Sequence, residues 1–427
     1  MNILYQILIF CFVCSYLPFF FFQYITKKKY KGKLREKLGF KTYVFKKGKP
    51  TIWLHAVSVG EIKAASNLLK QIKEAYPSST LIVSSITETG HAEAKRSTPF
   101  VDHHIILPID FKGVMSSLLK GLSLDLLLLV ETDIWPNFMN ACKKRGAAIG
   151  LINGKISLRS YRRLKKIKPF SDWYFSTFDF LLVQDEVYKK RFMDLGFNSD
   201  SIQITSNLKL DDSYPILSSS ELEALKKKLG IGELCIAIGS THEGEEEALI
   251  EQIKPLFVKY PHLKVLLVPR HPERNSAVGA LLRQTGLTFG LYSQNETLCN
   301  KQILLIDTMG FLRTCYQLAQ VAIVAGSYTS KVGGHNILEP LWYSTPCLFG
   351  PYMQTQSQFV HLVNQAEAGL QIPLKNLKNT LEELFENVNQ RKAMGERGRA
   401  IFDEASGGTR VTFNYIKKKL EDNLKKR

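Results

Sequence analysis

Cysteine is scarce in this chain of 427 residues, and what there is has no useful spacing. Cys11, Cys14, Cys142, Cys235, Cys299, Cys315 and Cys347 are an odd set scattered along the whole length, and the only close pair lies in an apolar run. That excludes a disulfide framework and a zinc site, and reduced thiols in a cytosolic compartment are the economical reading. No internal repeat and no low-complexity tract is present, so solenoids and disordered arrays are excluded as well. Neither a P-loop nor a G-x-G-x-x-G fingerprint occurs. Acid is under-represented, with 39 Asp+Glu against 57 Lys+Arg and a formal charge of +18. The excess is local. Residues 27–49 carry eleven basic side chains and one acid, residues 155–168 carry seven and none, and the remainder is left at +1. A near-neutral body with two basic patches argues against a nucleic-acid coat and for two anion-facing surfaces.

Charge is wholly missing from Ile3 to Ile25, a run crowded with Phe10, Phe12 and Phe19 to Phe22. About 20 apolar residues cross a bilayer core as a helix, so these 23 suffice, with Pro18 as a kink. A cleaved signal peptide would need a basic start, a shorter apolar core and small residues at the cut, none of which is here. An uncleaved anchor is therefore predicted, either spanning the bilayer or inserted in one leaflet. Lys27, Lys28, Lys29, Lys31 and Lys33 follow at once and keep the rest of the chain on the cytoplasmic face. The same lysines attract anionic lipid headgroups, or act only as a topology signal.

After residue 50 the pattern alternates short β-rich runs with amphipathic helical stretches. Thr51–Val57, Leu81–Ile86, His104–Pro108, Leu126–Val130, Ala148–Ile152, Phe180–Val183 and Ile202–Thr205 are predicted as buried strands. A break at Asp211–Pro215 and Ser218–Ser220 precedes a second series, Cys235–Ile238, Val265–Val268, Ile303–Ile306, Val321–Val324 and Pro346–Phe349. Alternation of this kind predicts an α/β chain of two doubly wound, Rossmann-like domains with parallel sheets, facing a cleft at the carboxyl ends of their strands. The expected division is an anchor at 1–26, one domain at 27–212 and a second at 213–427 whose last helix packs back.

The candidate chemistry sits at strand ends. In His55–Glu61, Glu61 falls at a helix N-terminus just past a strand, either as an ordinary first-turn acid or as a general base for a bound hydroxyl. Glu131 follows the very apolar Leu126–Val130, a usual place for a functional group in this architecture, with a solvated loop acid as the plain alternative. Asn153-Gly154-Lys155 and Arg159–Arg163 form a cationic loop suited to an anionic substrate, or a solvated helix face. Gly239–Glu246 offers amides to a phosphate, and Pro269 and Arg270 end a strand where a planar guanidinium binds two oxygens or a turn merely caps a helix. Gly326-Ser327 and Gly333–Pro340 form a glycine loop entering a helix, with Asn336 and Glu339 three apart on its first turn. That combination points to a nucleotide-sugar donor.

With these motifs in this order, the chain resembles the bacterial Kdo transferases, membrane-anchored GT-B enzymes that move 3-deoxy-D-manno-octulosonic acid (Kdo) onto lipid A precursor. The matching segments are His55–Glu61, Glu131–Asn137, Asn153–Arg163, Ser206–Lys209, Gly239–Glu246, Pro269–Arg274, Asp307–Gly310 and Gly333–Pro340. The resemblance implies an inverting transferase with CMP-Kdo as donor and tetraacyl lipid A precursor as acceptor, adding one or more Kdo residues at the inner membrane. It implies Glu61 as catalytic base, Glu131 and Lys209 as transition-state stabilisers, and CMP held by Pro269, Arg270, Gly310, Phe311, Leu312, Asn336, Ile337, Leu338 and Glu339. No metal or other cofactor is expected, and no nucleic acid; anionic inner-membrane lipids are expected partners. Phe311 departs from the acid common in the family, and Ser85–Gly90 is poorer in threonine than usual. Another two-domain sugar-nucleotide enzyme, a UDP-sugar transferase or an epimerase, is the alternative.

Overall fold

A computed structural model describes residues 4–7, 9–11, 13–15, 34–131, 133, 135–211, 214–405 and 407–425. Most of the predicted anchor, with Pro18 and the lysines that follow it, lies outside these residues. Among the described residues no helix is long and apolar enough to cross a membrane.

The chain folds as two compact units. One comprises Met1–Asp212 together with Ala405–Arg427, the other Ser213–Glu404. The first is built on β1 (Thr51–His55), β2 (Thr80–Ser85), β3 (His103–Ile106), β4 (Leu126–Val130), β5 (Ala148–Gly154), β6 (Phe180–Val183) and β7 (Ile202–Ile204). They form one sheet in the order β3-β2-β1-β4-β5-β6-β7, every pairing parallel. Side chains alternate across a strand, and helices cover both faces of a parallel sheet, so both sets of residues must be apolar. The run Leu126–Val130 shows why no polar residue interrupts it. Leu127 and Leu129 enter one core with Trp53 and Phe138, while Leu126, Leu128 and Val130 enter the other with Leu54, Leu68 and Phe180.

The second unit repeats the plan with β8 (Cys235–Thr241), β9 (Lys264–Pro269), β10 (Phe289–Leu291), β11 (Ile303–Leu305), β12 (Val321–Val324), β13 (Cys347–Phe349) and β14 (Gly369–Gln371). Its parallel order is β10-β11-β9-β8-β12-β13-β14. Two of these strands, β10 and β14, have no counterpart in the sequence pattern. Both are sheet edges three residues long, and each contains a glycine.

The closing helix, Gly408–Lys425, packs on the first unit. Ile416 and Leu420 are buried in the core that holds Phe180 and Leu208, and the Tyr415 ring lies 5.2 Å from that of Phe180. Asp211 accepts the backbone N–H groups of Gly407 and Thr409 and so fixes the start of this helix. In each unit the strand order reverses beside the first strand, between β1 and β4 and between β8 and β12. In open α/β sheets, ligands bind outside the carboxyl ends of the strands at such a reversal.

Candidate active site

At the reversal of the first unit, β1 runs into the helix Val59–Ala75. Ser58 caps it, accepting the N–H of Glu61 at 3.3 Å and donating its hydroxyl to Glu61 Oε1 at 2.7 Å. Glu61 Oε2 accepts the N–H of Val57 at 2.7 Å. Both carboxylate oxygens are thus engaged at the strand-to-helix turn, in a variant of the capping box. Glu61 is nevertheless buried, and burial pushes its pKa up. The nearby Glu131 adds to the rise, while the bonds from Ser58 and Val57 oppose it. His55, the last residue of β1, is a core residue. Ser84 hydrogen-bonds its Nδ1 at 2.8 Å, Trp135 meets its ring edge-on, and burial depresses its pKa to about 3.

Across the reversal, Glu131 immediately follows β4 with φ of 64°. That left-handed conformation costs a residue bearing a Cβ on the order of 1–2 kcal/mol, so surrounding contacts must impose it. Two of them are short: Lys155 Nζ lies 2.8 Å from Glu131 Oε2 and Lys209 Nζ 2.8 Å from Oε1. Burial alone would raise the pKa of Glu131, but Lys209 and Lys155 outweigh it and hold the carboxyl below its ordinary value. Such a bridge loses much of its Coulomb gain to desolvation, so its use here is to fix geometry and charge.

Lys209 comes from the far side of the sheet, on the short 3-10 turn Leu208–Leu210 after β7. Asn153, fully buried at the end of β5, accepts the N–H of Leu208 at 3.1 Å, and Asn207 accepts that of Lys209 at 3.0 Å. A Cβ added to Gly60 would come within 3.9 Å of Lys209 Nζ, so the lysine stands beside the Glu61 turn as well. Glu61, Glu131, Lys155 and Lys209 are therefore one cluster. Asp133 completes it. Burial, then Glu61 and Glu131, push its pKa up to about 7, against Lys155. In the sequence Asp133 falls inside the segment Glu131–Asn137 with no role of its own, and Lys155 only in a cationic loop.

At the reversal of the second unit, a buried acid of the chain joins the loop after β8 to the loop after β12. The buried Glu245 carboxylate takes the N–H groups of His242 at 3.1 Å, Gly326 at 2.8 Å and Tyr328 at 2.8 Å. Within Gly239–Glu246 the Glu245 carboxylate takes only the His242 amide, and its other two bonds tie the β8 loop to the β12 loop. Imidazoles and a guanidinium remain. His242 Nε2 and His335 Nε2 are 2.7 Å apart with their rings stacked, and the ring of His271 lies 5.3 Å from that of His242. Arg270 is exposed and makes no ion pair among the described residues, whereas Arg274 is bound by Glu246 at 3.2 Å. Burial lowers the pKa of His335 to about 4, helped by His242, Arg270 and His271. Burial, then His271 and Arg270, also lower that of His242. An unpaired cation beside two imidazoles kept neutral is a site short of an anion.

The glycine loop reaches its helix later than expected, at Leu338–Trp342. Asn336 precedes it, its side chain accepting the N–H of Leu338 at 3.1 Å, and Glu339 stands in the first turn, 3.5 Å from Arg313. Gly334 has φ of 91°, and a Cβ there would lie 2.3 Å from Met353 Sδ, so only glycine fits. Ile337 and Leu338 are buried in the core, so a ligand could meet them only through their backbone. Gly310, with φ of 89°, precedes Phe311, whose ring stacks on Tyr292 at 4.4 Å, and Leu312. Pro269 ends β9 and is buried. Among the described residues no group of three or more His, Cys, Asp or Glu is arranged to hold a metal.

A sequence profile of the 3-deoxy-D-manno-octulosonic-acid transferases (kdotransferases) matches residues 32–212. The transferase of that name from Chlamydia muridarum is 33% identical over 94% of this chain and 94% of its own. The chain belongs to this family. Its two units resemble in fold a Rickettsia africae glycosyltransferase (TM-score 0.55, 15% identity, 88% of this chain and 99% of the other). They also resemble the UDP-GlcNAc 2-epimerase of Neisseria meningitidis bound to UDP-GlcNAc (TM-score 0.57, 13% identity, 87% and 100%). The fold is GT-B-like, and at these identities the likeness extends to fold alone.

Proposed function

We propose that Glu61 is the base of an inverting transfer to a lipid A precursor, with Glu131, Lys155 and Lys209 as its electrostatic frame. Family membership makes the chain a glycosyltransferase that takes Kdo from CMP-Kdo in lipopolysaccharide core biosynthesis. The observation that carries the assignment of roles is the joining of Glu61, Glu131, Lys155 and Lys209 at the strand-order reversal of the first unit. A base must be ionised yet willing to take a proton. Glu61 meets both needs, because hydrogen bonds from Ser58 and Val57 support its anion while burial raises its proton affinity.

In the reaction, Glu61 takes the proton of an acceptor hydroxyl as that oxygen bonds to the ketosidic carbon of Kdo. The bond from that carbon to the phosphate oxygen breaks, CMP leaves with the electron pair, and configuration inverts. Positive charge grows on the sugar, and Glu131, held ionised by its lysines, stabilises it. Arg270, with His242 and His335, receives the phosphate, Glu339 and Asn336 the ribose, and the turn Gly310, Phe311, Leu312 the base side. Since Phe311 is stacked on Tyr292, its ring contributes through that pair.

The acceptor carries phosphates and acyl chains. The helix Leu158–Lys166 exposes Leu158 and lines a recess of about 420 Å³ with Arg159, Arg162, Arg163 and Lys166, which suits such a molecule or anionic headgroups at the inner membrane. The test is transfer from CMP-Kdo to lipid A precursor by membranes carrying the full chain, with mass spectrometry counting the sugars added. Glu61→Gln should lose at least about 10²-fold in kcat, the low end for a general base, while CMP affinity is unchanged. Near-normal turnover would remove Glu61 from the role.

A further inference from the structure

Within the charge-free run near the amino terminus, Tyr5 and Gln6 are adjacent polar residues, and both turn toward the first unit. The Tyr5 hydroxyl donates to Asp110 Oδ2 at 2.9 Å. The side-chain amide of Gln6 donates to Asn137 Oδ1. Leu4, Ile7 and Phe10, by contrast, are exposed.

The groups they meet are not surface residues. Asp110 is 2% exposed, and its carboxylate caps the helix Pro136–Lys143, accepting the N–H of Asn137 at 3.0 Å and of Phe138 at 2.8 Å. Asn137 in turn donates its side-chain N–H to the Asp110 carbonyl. That helix begins directly after the connection carrying Glu131 and Asp133. The Tyr5 ring also lies 6.1 Å from that of Trp173, whose neighbour Tyr174 donates its hydroxyl to the carbonyl of Asp133. The amino-terminal pair thus touches both supports of the acidic connection, one at the helix that ends it and one beside the tyrosine that holds its middle.

We propose that Tyr5 and Gln6 are positioning residues for Glu131 and Asp133, so that the amino-terminal segment is a working part of the acceptor-side unit as well as a tether. The physical reason is that a catalytic constellation must be held to a fraction of an ångström, and a shift of about 1 Å in a distant support costs up to roughly 10²-fold in rate. A pure tether would need no hydrogen bonds to a buried helix cap.

The experiment uses the full chain in detergent micelles, with Tyr5→Phe and Gln6→Ala as separate variants. Tyr5→Phe keeps the ring and loses only the hydroxyl. Two readouts are taken: hydrogen exchange at the Asn137 and Phe138 amides, and kcat with CMP-Kdo and lipid A precursor. The expected result is exchange at those amides faster by about tenfold or more, and kcat lower by about tenfold. CMP affinity and recovery in membranes should stay at wild-type values. Unchanged exchange, or faster exchange with unchanged kcat, overturns the proposal. The kinetic readout rests on the transfer reaction assigned above. If the wild type transfers nothing from CMP-Kdo, that assignment fails and exchange alone decides the positioning role.

Discussion

A carboxylate paired with two cations is a poor base, and one with no partner is costly to bury. The acids of the first unit divide along that line. Glu131 is paired with Lys155 and Lys209 and kept ionised, Glu61 is held by the neutral donors of Ser58 and Val57, and Asp133 has no hydrogen bond to its carboxylate among the described residues. Burial and its acidic neighbours push the pKa of Asp133 up to about 7. An acid whose folded-state pKa exceeds its unfolded value destabilises the fold once ionised. The cost is absent below about pH 4, grows between there and about pH 7, and is complete above. Asp133→Asn should therefore melt at the same temperature as wild type at pH 4 and higher at pH 8, by roughly 2–4 °C per kcal/mol relieved in a domain of this size. Calorimetry at the two pH values checks the sign. Glu61, Glu131 and Arg270 were legible as residues because each sits directly past a strand whose apolar run is easy to see. Asp133 was not, because its character comes from neighbours on other strands. His242 and His335 were missed for the same reason: they are 93 residues apart and meet only through the β8 and β12 loops.

Elements carry the next level of the site. Asn153 is fully buried in a left-handed conformation, φ 51°, and its side chain supports the turn that bears Lys209. Asn153→Ala removes that acceptor and leaves the Leu208 N–H buried without a partner, a loss of about 1–3 kcal/mol. Urea denaturation measures the loss, and kcat should fall with it while CMP affinity does not, because only Lys209 is displaced. Twelve of the fourteen strands were readable from apolar runs flanked by turns, some with ends shifted by one to three residues. The two that were not, Phe289–Leu291 and Gly369–Gln371, are short edge strands whose glycine breaks any alternation, and pairing with one neighbour alone makes them strands. The turn after β8 is a different case. Gly-Ser-Thr before a helix exposes amides, and no local pattern signals that Glu245 takes the His242 N–H and reaches Gly326 and Tyr328, more than 80 residues on.

At the scale of the whole molecule, the closing helix is the feature with most at stake. Ile416 and Leu420 fill the core behind β1 and β4, so Leu420→Ala should cost about 2–5 kcal/mol, the usual range for a buried leucine truncated in a packed core. Ending the chain at residue 404 should expose that core and make the first unit aggregate, while the second unit still binds CMP. Limited proteolysis followed by CMP titration distinguishes the two units. Two doubly wound sheets were predictable from the alternation itself. That the last helix packs back was predictable too, but not the core it joins, since its apolar stripe fits any complementary surface and only the assembled sheet selects one.

Because residues 405–427 return to the sheet laid down by residues 51–204, the second unit is an insertion in the first rather than an appendix to it. During synthesis the ribosome must deliver Ile416 and Leu420 before the earlier-made sheet of residues 51–204 can be sealed. Stop codons between Gly408 and Ile416 should therefore yield nascent chains that chaperones retain, even with the second unit fully made.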